Sequence, residues 1–238
     1  MNHSYVALDL ETTGLNPKLE KIIEVGALRV EDGRETGRLS VFVNPGRFLE
    51  PRITELTGIT DEMLSGAPLM GDVIGEIMEF MGDLPLLGHR ILFDYSFLKR
   101  AAVNAGYSFE REGIDTLTLC RRFMPADEKK NLGNACRFFH IETGTAHRAL
   151  SDAAAAHGLF LRLFQEFGAG DEGAFLPKPL IYKAKREQPA TKRQKEHLHD
   201  LAKYHRINLS VQIDTLTRSE VSRCIDQIIT QYGKIQSR

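Results

Sequence analysis

The stretch Tyr5-Val-Ala-Leu-Asp-Leu-Glu11 constrains this chain more than any other. Its apolar residues fall on both parities, so a strand formed here is apolar on both sides and belongs inside a sheet covered above and below. Yet it ends in two carboxylates, Asp9 and Glu11, which the period of two turns to the same face. A small-residue turn, Thr12-Thr-Gly14, follows at once. Two acids side by side at the end of a buried strand are costly unless something of opposite charge lies between them.

The rest of the chain supplies the layers. Residues 4–10, 22–31 and 37–44 read as three strands, with Gly14-Leu-Asn-Pro17 and Glu31-Asp-Gly33 between them as turns. A short helix follows Pro51, a longer one spans 68–81, and 84–88 is a short buried strand. The spacing of Phe93, Phe97, Leu98 and Ala101 predicts a helix over 93–105, and 116–119 reads as an edge strand. Helices are expected at 132–139 and 149–167. Strands alternating with helices after a hairpin-like start predict an α/β fold, a mixed β-sheet flanked by helices.

Gly168-Ala-Gly-Asp-Glu-Gly173 and Pro177-Lys-Pro179 read as a linker. The expected division is a domain at 1–168, a linker at 169–189 and a small C-terminal helical appendage at 190–238. Its two helices open on capping boxes, Thr191 with Gln194 and Thr217 with Glu220. Val221, Cys224, Ile225, Ile228, Ile229 and Tyr232 make an apolar stripe on the second, which Leu198, Leu201 and Ile207 can face. So small a unit is expected to pack on the main domain or on a partner.

The net charge of −1 hides an asymmetry: residues 171–238 carry 13 Lys+Arg against 8 Asp+Glu, and the remainder is acidic. Lys183, Lys185, Arg186, Lys192, Arg193, Lys195, Lys203 and Arg206, interleaved with Tyr182 and Tyr204, suit either phosphate and base contact or a solvated basic face. No apolar run approaches the roughly 20 residues of a membrane span, and no signal-peptide core is present. Cys120, Cys136 and Cys224 have no metal or redox spacing and read as reduced thiols of a cytoplasmic protein.

Two further blocks add to Asp9 and Glu11: Phe93-Asp94 and His147-Arg-Ala-Leu-Ser-Asp152. All-oxygen ligands suit magnesium or manganese, and His147 adds an imidazole that ordinarily titrates near neutral pH. On one continuous helix His147 and Asp152 would lie about 140° apart. Both reach one site only if His147 stands in a loop and Asp152 in the first turns of the helix. Together the groups point to metal-assisted hydrolysis.

Leu8-Asp-Leu-Glu-Thr-Thr-Gly14, His89-Arg-Ile-Leu-Phe-Asp94 and His147-Arg-Ala-Leu-Ser-Asp152 resemble the three motifs of the DEDDh (DnaQ-like) 3′→5′ exonucleases. Leu56-Thr-Gly-Ile-Thr60 is similar to a segment of the proofreading subunits of bacterial replicative polymerases. The resemblance covers residues 4–167 and implies a ribonuclease H-like fold. It implies two divalent ions, Mg2+ or Mn2+, held by Asp9, Glu11, Asp94 and Asp152, with His147 as general base. It also implies that Thr12, Thr13 and Leu15 hold the terminal nucleotide, with Leu56 and Phe93 as further pocket residues. The expected substrate is nucleic acid with a free 3′ end, single-stranded or frayed DNA above all, and a DNA polymerase or repair complex is the implied partner. RNA trimming is the nearest rival, and an inactive nucleic-acid-binding module the rival of another class. One departure stands out: Arg90 occupies the place where the family usually has Asn.

Overall fold

The computed structural model describes residues 4–144, 147–209 and 213–235. It falls into two compact units, Met1–Pro45 with Leu49–Ala184, and Gly46–Phe48 with Lys185–Arg238.

The first unit is built on β1 (Tyr5–Thr12), β2 (Ile22–Glu31) and β3 (Arg34–Phe42), an antiparallel meander. Three helices follow: α1 (Pro51–Thr57), α2 (Asp61–Ser65) and α3 (Met70–Met81). Pro51 opens α1 without loss because the first helical N–H has no partner in any case. Next come β4 (Leu86–Gly88), α4 (Leu92–Ala105), β5 (Glu112–Asp115), α5 (Thr116–Phe123), α6 (Leu132–Phe138), α7 (Ala149–Phe167) and a two-residue β6 (Lys178–Pro179). The sheet order is β3-β2-β1-β4-β5-β6. β1 lies near the middle, antiparallel to β2 and parallel to β4, so the sheet is mixed.

Parity along β1 assigns the two faces. Tyr5 and Ala7 pack with Leu28, Val30 and the apolar side of α7, together with α5 and α6. Val6, Leu8 and Leu10 pack instead with α3 and α4. Asp9 and Glu11 continue the row of Tyr5 and Ala7 and therefore open on the face that carries α7.

Two expectations need correction, and one helix is new. Residues 116–119 are the first turn of α5, not an edge strand, because the Asp115 side chain accepts the Leu117 N–H at 2.9 Å and caps a helix there. The helix α2 was not anticipated; Thr60 caps it from a segment too short to show periodicity. The linker proper is shorter than 169–189. Phe175 is buried among Phe123, Phe160 and Phe164, and Lys178–Pro179 pairs with β5, so the chain through Ala184 belongs to the first unit.

The second unit holds α8 (Lys192–His205) and α9 (Arg218–Tyr232). Both begin with the capping boxes read from the sequence: Gln194 N–H to Thr191 Oγ1 at 3.2 Å, and Glu220 N–H to Thr217 Oγ1 at 3.4 Å. Leu198, Leu201, Val221 and Ile228 form its core.

Candidate active site

The four acids arrive from three elements. Asp9 and Glu11 end β1, where the pairing with β2 is irregular between Glu11 and Thr12. Asp94 lies in the first turn of α4, buried, and its Oδ1 accepts the Leu10 N–H at 3.0 Å. That bond ties α4 to the strand between the two acids of β1. Asp152 lies in the first turn of α7, and its Oδ2 accepts the His147 N–H at 3.0 Å. His147 itself stands just before the helix, exposed, with φ +58. The left-handed backbone is uncommon for a residue with a Cβ and turns the chain so that both groups serve one place.

A ligand atom from each of Glu11, His147 and Asp152 lies within 4.8 Å of the others. Burial raises the carboxyl of Asp9 well above the usual range, and the charges of Asp94, Asp152, Glu11 and Glu24 push the same way. Glu11 is pushed up to about 7 by burial and by Asp152 and Glu24, against an opposing pull from Arg148. Burial also raises Asp94 and Asp152, although the backbone N–H groups of Leu10 and His147 stabilise their charged forms. A cluster of acids that cannot all ionise together is a site in want of positive charge. The donor set, carboxylate oxygens with one imidazole, fits a hard divalent cation.

The surrounding residues divide. The hydroxyl of Thr12 donates to Gly14 O at 2.7 Å and that of Thr13 to Glu20 Oε2 at 2.6 Å, so both shape the turn after β1. Leu15 on that turn is 81% exposed, and Leu56 at the end of α1 is 54% exposed. Phe93 is half-buried against Phe97, with ring centroids 5.0 Å apart. His89 serves the scaffold, bonded to Thr116 Oγ1 and Lys130 O. Arg90 has φ +73 and its N–H donates to Asp115 Oδ1 at 2.8 Å. Asn adopts this left-handed backbone more readily than Arg does.

Sequence reasoning missed Glu24. It is 1% exposed and directly opposite Glu11 across the β1–β2 pair, with Arg148 as its partner. An acid inside the apolar run Ile22-Ile-Glu-Val25 was the available signal.

Comparison with known proteins shows the family. The family model described as Exonuclease matches residues 6–160. DNA polymerase III subunit epsilon of Aquifex aeolicus is 35% identical over 176 residues, covering 72% of this chain and 87% of that one. The PolC-type DNA polymerase III of Bacillus subtilis is 39% identical over 166 residues, 68% of this chain and only 12% of the polymerase. Exonuclease X, solved in complex with 5′ overhanging duplex DNA, superposes with a TM-score of 0.55 at 25% identity, covering 68% of this chain and 92% of that one. With a ribonuclease H-like sheet, acids gathered from three elements and these relatives, the chain belongs to the exonuclease family, as a DnaQ-like nuclease of the DEDDh kind.

Proposed function

We propose that this protein is a 3′→5′ exonuclease that releases nucleoside 5′-monophosphates from single-stranded or frayed DNA ends in proofreading or repair, with a DNA polymerase or repair complex as its partner. The observation that carries this reading is the approach of Glu11, His147 and Asp152 to one point beside Asp9 and Asp94. Asp9, Glu11, Asp94 and Asp152 would hold two divalent cations, Mg2+ or Mn2+. When bound, such ions activate water and stabilise charge on the attacking and leaving oxygens. The His147 imidazole accepts the proton of the attacking water. As the new P–O bond forms, the bond to the 3′ oxygen of the preceding nucleotide breaks, leaving a 5′-monophosphate and a strand one residue shorter with a fresh 3′-hydroxyl. Thr12 and Thr13 shape the turn that receives the terminal nucleotide. Leu15, Leu56 and Phe93 offer apolar surface to its base and sugar.

Lys192, Arg193 and Lys203 of α8 and Arg206 at its C-cap, all exposed, offer positive charge to the nucleic-acid backbone. The buried free thiols Cys120 and Cys136 suit a reducing, cytoplasmic setting. Among the described residues no helix is long and apolar enough to cross a membrane.

The test is digestion of 5′-labelled DNA and RNA oligonucleotides of matched sequence with Mg2+ or Mn2+. A ladder shortening from the 3′ end, faster on DNA and absent when that end is blocked, is the expected result. Faster turnover of RNA would transfer the assignment to RNA trimming. Asp9→Ala should reduce the rate to background while the protein stays folded by circular dichroism; a variant that still cuts would remove Asp9 from the site.

A further inference from the structure

α7 has no side-chain cap of its own, and its N-cap residue is Arg148. The orphan N–H of Ala149, the first helical residue, is taken from another element: Glu24 Oε2 on β2 accepts it at 3.2 Å. The same carboxylate is forked by Arg148, whose Nη2 lies 3.1 Å from Oε1 and whose Nε lies 3.3 Å from both oxygens. Arg148 also stacks over the Phe42 ring at 5.3 Å from its centroid. Two residues along β2, Gly26 lets the backbone of Ala149 and Leu150 lie directly on the strand. The segment seated in this way runs between His147 and Asp152.

We propose that Glu24 is a positioning residue: by capping α7 from the neighbouring strand and gripping Arg148, it fixes where His147 and Asp152 stand over Glu11. This rests on the reading that His147 and Asp152 work at that site. Glu24 is inaccessible and lies across from Glu11, so it need touch neither substrate nor reacting atoms to act. A buried carboxylate among apolar neighbours on a strand is expensive unless every oxygen is used, and here both are. Charge-assisted bonds of this kind are short-ranged and directional. They hold the helix start in register as an apolar contact would not.

Outer partners that orient site groups typically cost 10–100-fold in metal affinity or activity when removed. The experiment uses the full chain, Glu24→Gln, Arg148→Gln, the double variant and Arg148→Lys, with Asp152→Asn in parallel. Two quantities are read: Mn2+ affinity by calorimetry, and the kcat–KM split on a single-stranded DNA oligonucleotide. Glu24→Gln is expected to lower kcat and Mn2+ affinity about 10–100-fold with KM for the oligonucleotide unchanged. The double variant should be no worse than either single one, because the two side chains act as one device. Arg148→Lys, which keeps the charge and loses the fork, should recover part of the loss. A folded Glu24→Gln with wild-type kcat and Mn2+ affinity would overturn the proposal, as would strictly additive losses. Should Glu24→Gln not fold, the two Arg148 variants decide, since that side chain is 38% exposed and more tolerant of change. If Asp152→Asn also keeps full Mn2+ affinity and turnover, the site assignment has failed rather than the positioning role.

Discussion

Replacing Gly26 with Ala is a one-methyl change with a calculable effect. A Cβ at Gly26 would stand 2.0 Å from Leu150 N and 2.1 Å from the Ala149 carbonyl carbon, all backbone that no rotamer change can move aside. Reaching ordinary contact at 3.4 Å requires the start of α7 to retreat about 1.4 Å from β2. Overpacking of this kind costs about 1–3 kcal/mol, which at about 2–4 °C per kcal/mol for a chain of this size is a readily measured drop in Tm. The same retreat carries Asp152 and His147 away from Glu11, and misplacement by about 1 Å costs on the order of 100-fold in rate. Gly71, in α3 with nothing within 4 Å of its Cβ position, supplies the control, where Ala should be neutral or slightly stabilising. Thermal melts and single-turnover digestion of a labelled oligonucleotide read the two effects. A Gly26→Ala protein with both Tm and rate at wild-type values would refute the close approach of α7 to β2.

The acids give a prediction of definite sign. In the metal-free protein the carboxyl of Glu11 sits at about 7 against an ordinary 4.5, so the folded state keeps a proton that the unfolded chain has released between those values. Stability therefore falls as pH rises from about 4.5 to 7, by about 3 kcal/mol for this group, and Asp9, Asp94 and Asp152 act in the same direction. Melts with a chelator should be lower at pH 8 than at pH 5, and Mn2+ should reverse the order; a chelated protein more stable at pH 8 would count against the cluster. Arg90→Asn should stabilise by about 0.5–1 kcal/mol, read from the denaturant midpoint, because Asn tolerates the left-handed backbone better. Replacing Lys192, Arg193 and Lys203 together by Ala should weaken oligonucleotide binding and flatten its salt dependence by about two to three in log–log slope; an unchanged slope would assign α8 a role other than backbone contact.

Much of the fold lay open in the sequence because its periodicities are long. α7 runs from Ala149 to Phe167, the limits expected from the sequence, and the capping boxes at Thr191 and Thr217 mark both helices of the second unit. Short elements misled. Thr116-Leu-Thr-Leu119 alternates like a strand and is β-branched like one, and only the Asp115 cap makes it helical. Residues 169–184 carry the glycine and proline of a linker, yet one aromatic, Phe175, ties them into the core. The acids and His147 could be picked out by residue type and resemblance, and the loop position of His147 by the angle between it and Asp152. Glu24 shows in the sequence only as an acid inside an apolar run; its role depends on the register between β1 and β2, which sets it opposite Glu11. Gly26 escaped notice for a like reason, since what it lies beneath is determined by a segment more than a hundred residues away.

Delivery of the acids by β1, α4 and α7 has a consequence for the chain as it is made. Asp9 and Glu11 leave the ribosome first, Asp94 much later, and the imidazole with Asp152 later still. On the proposed assignment, a nascent or half-folded molecule would hold an incomplete cage and no base until α7 lies on the sheet. Degradative power would then wait on long-range closure, the slowest kind of contact to form, and a chain stalled before α7 docks would be unable to cut the strands around it.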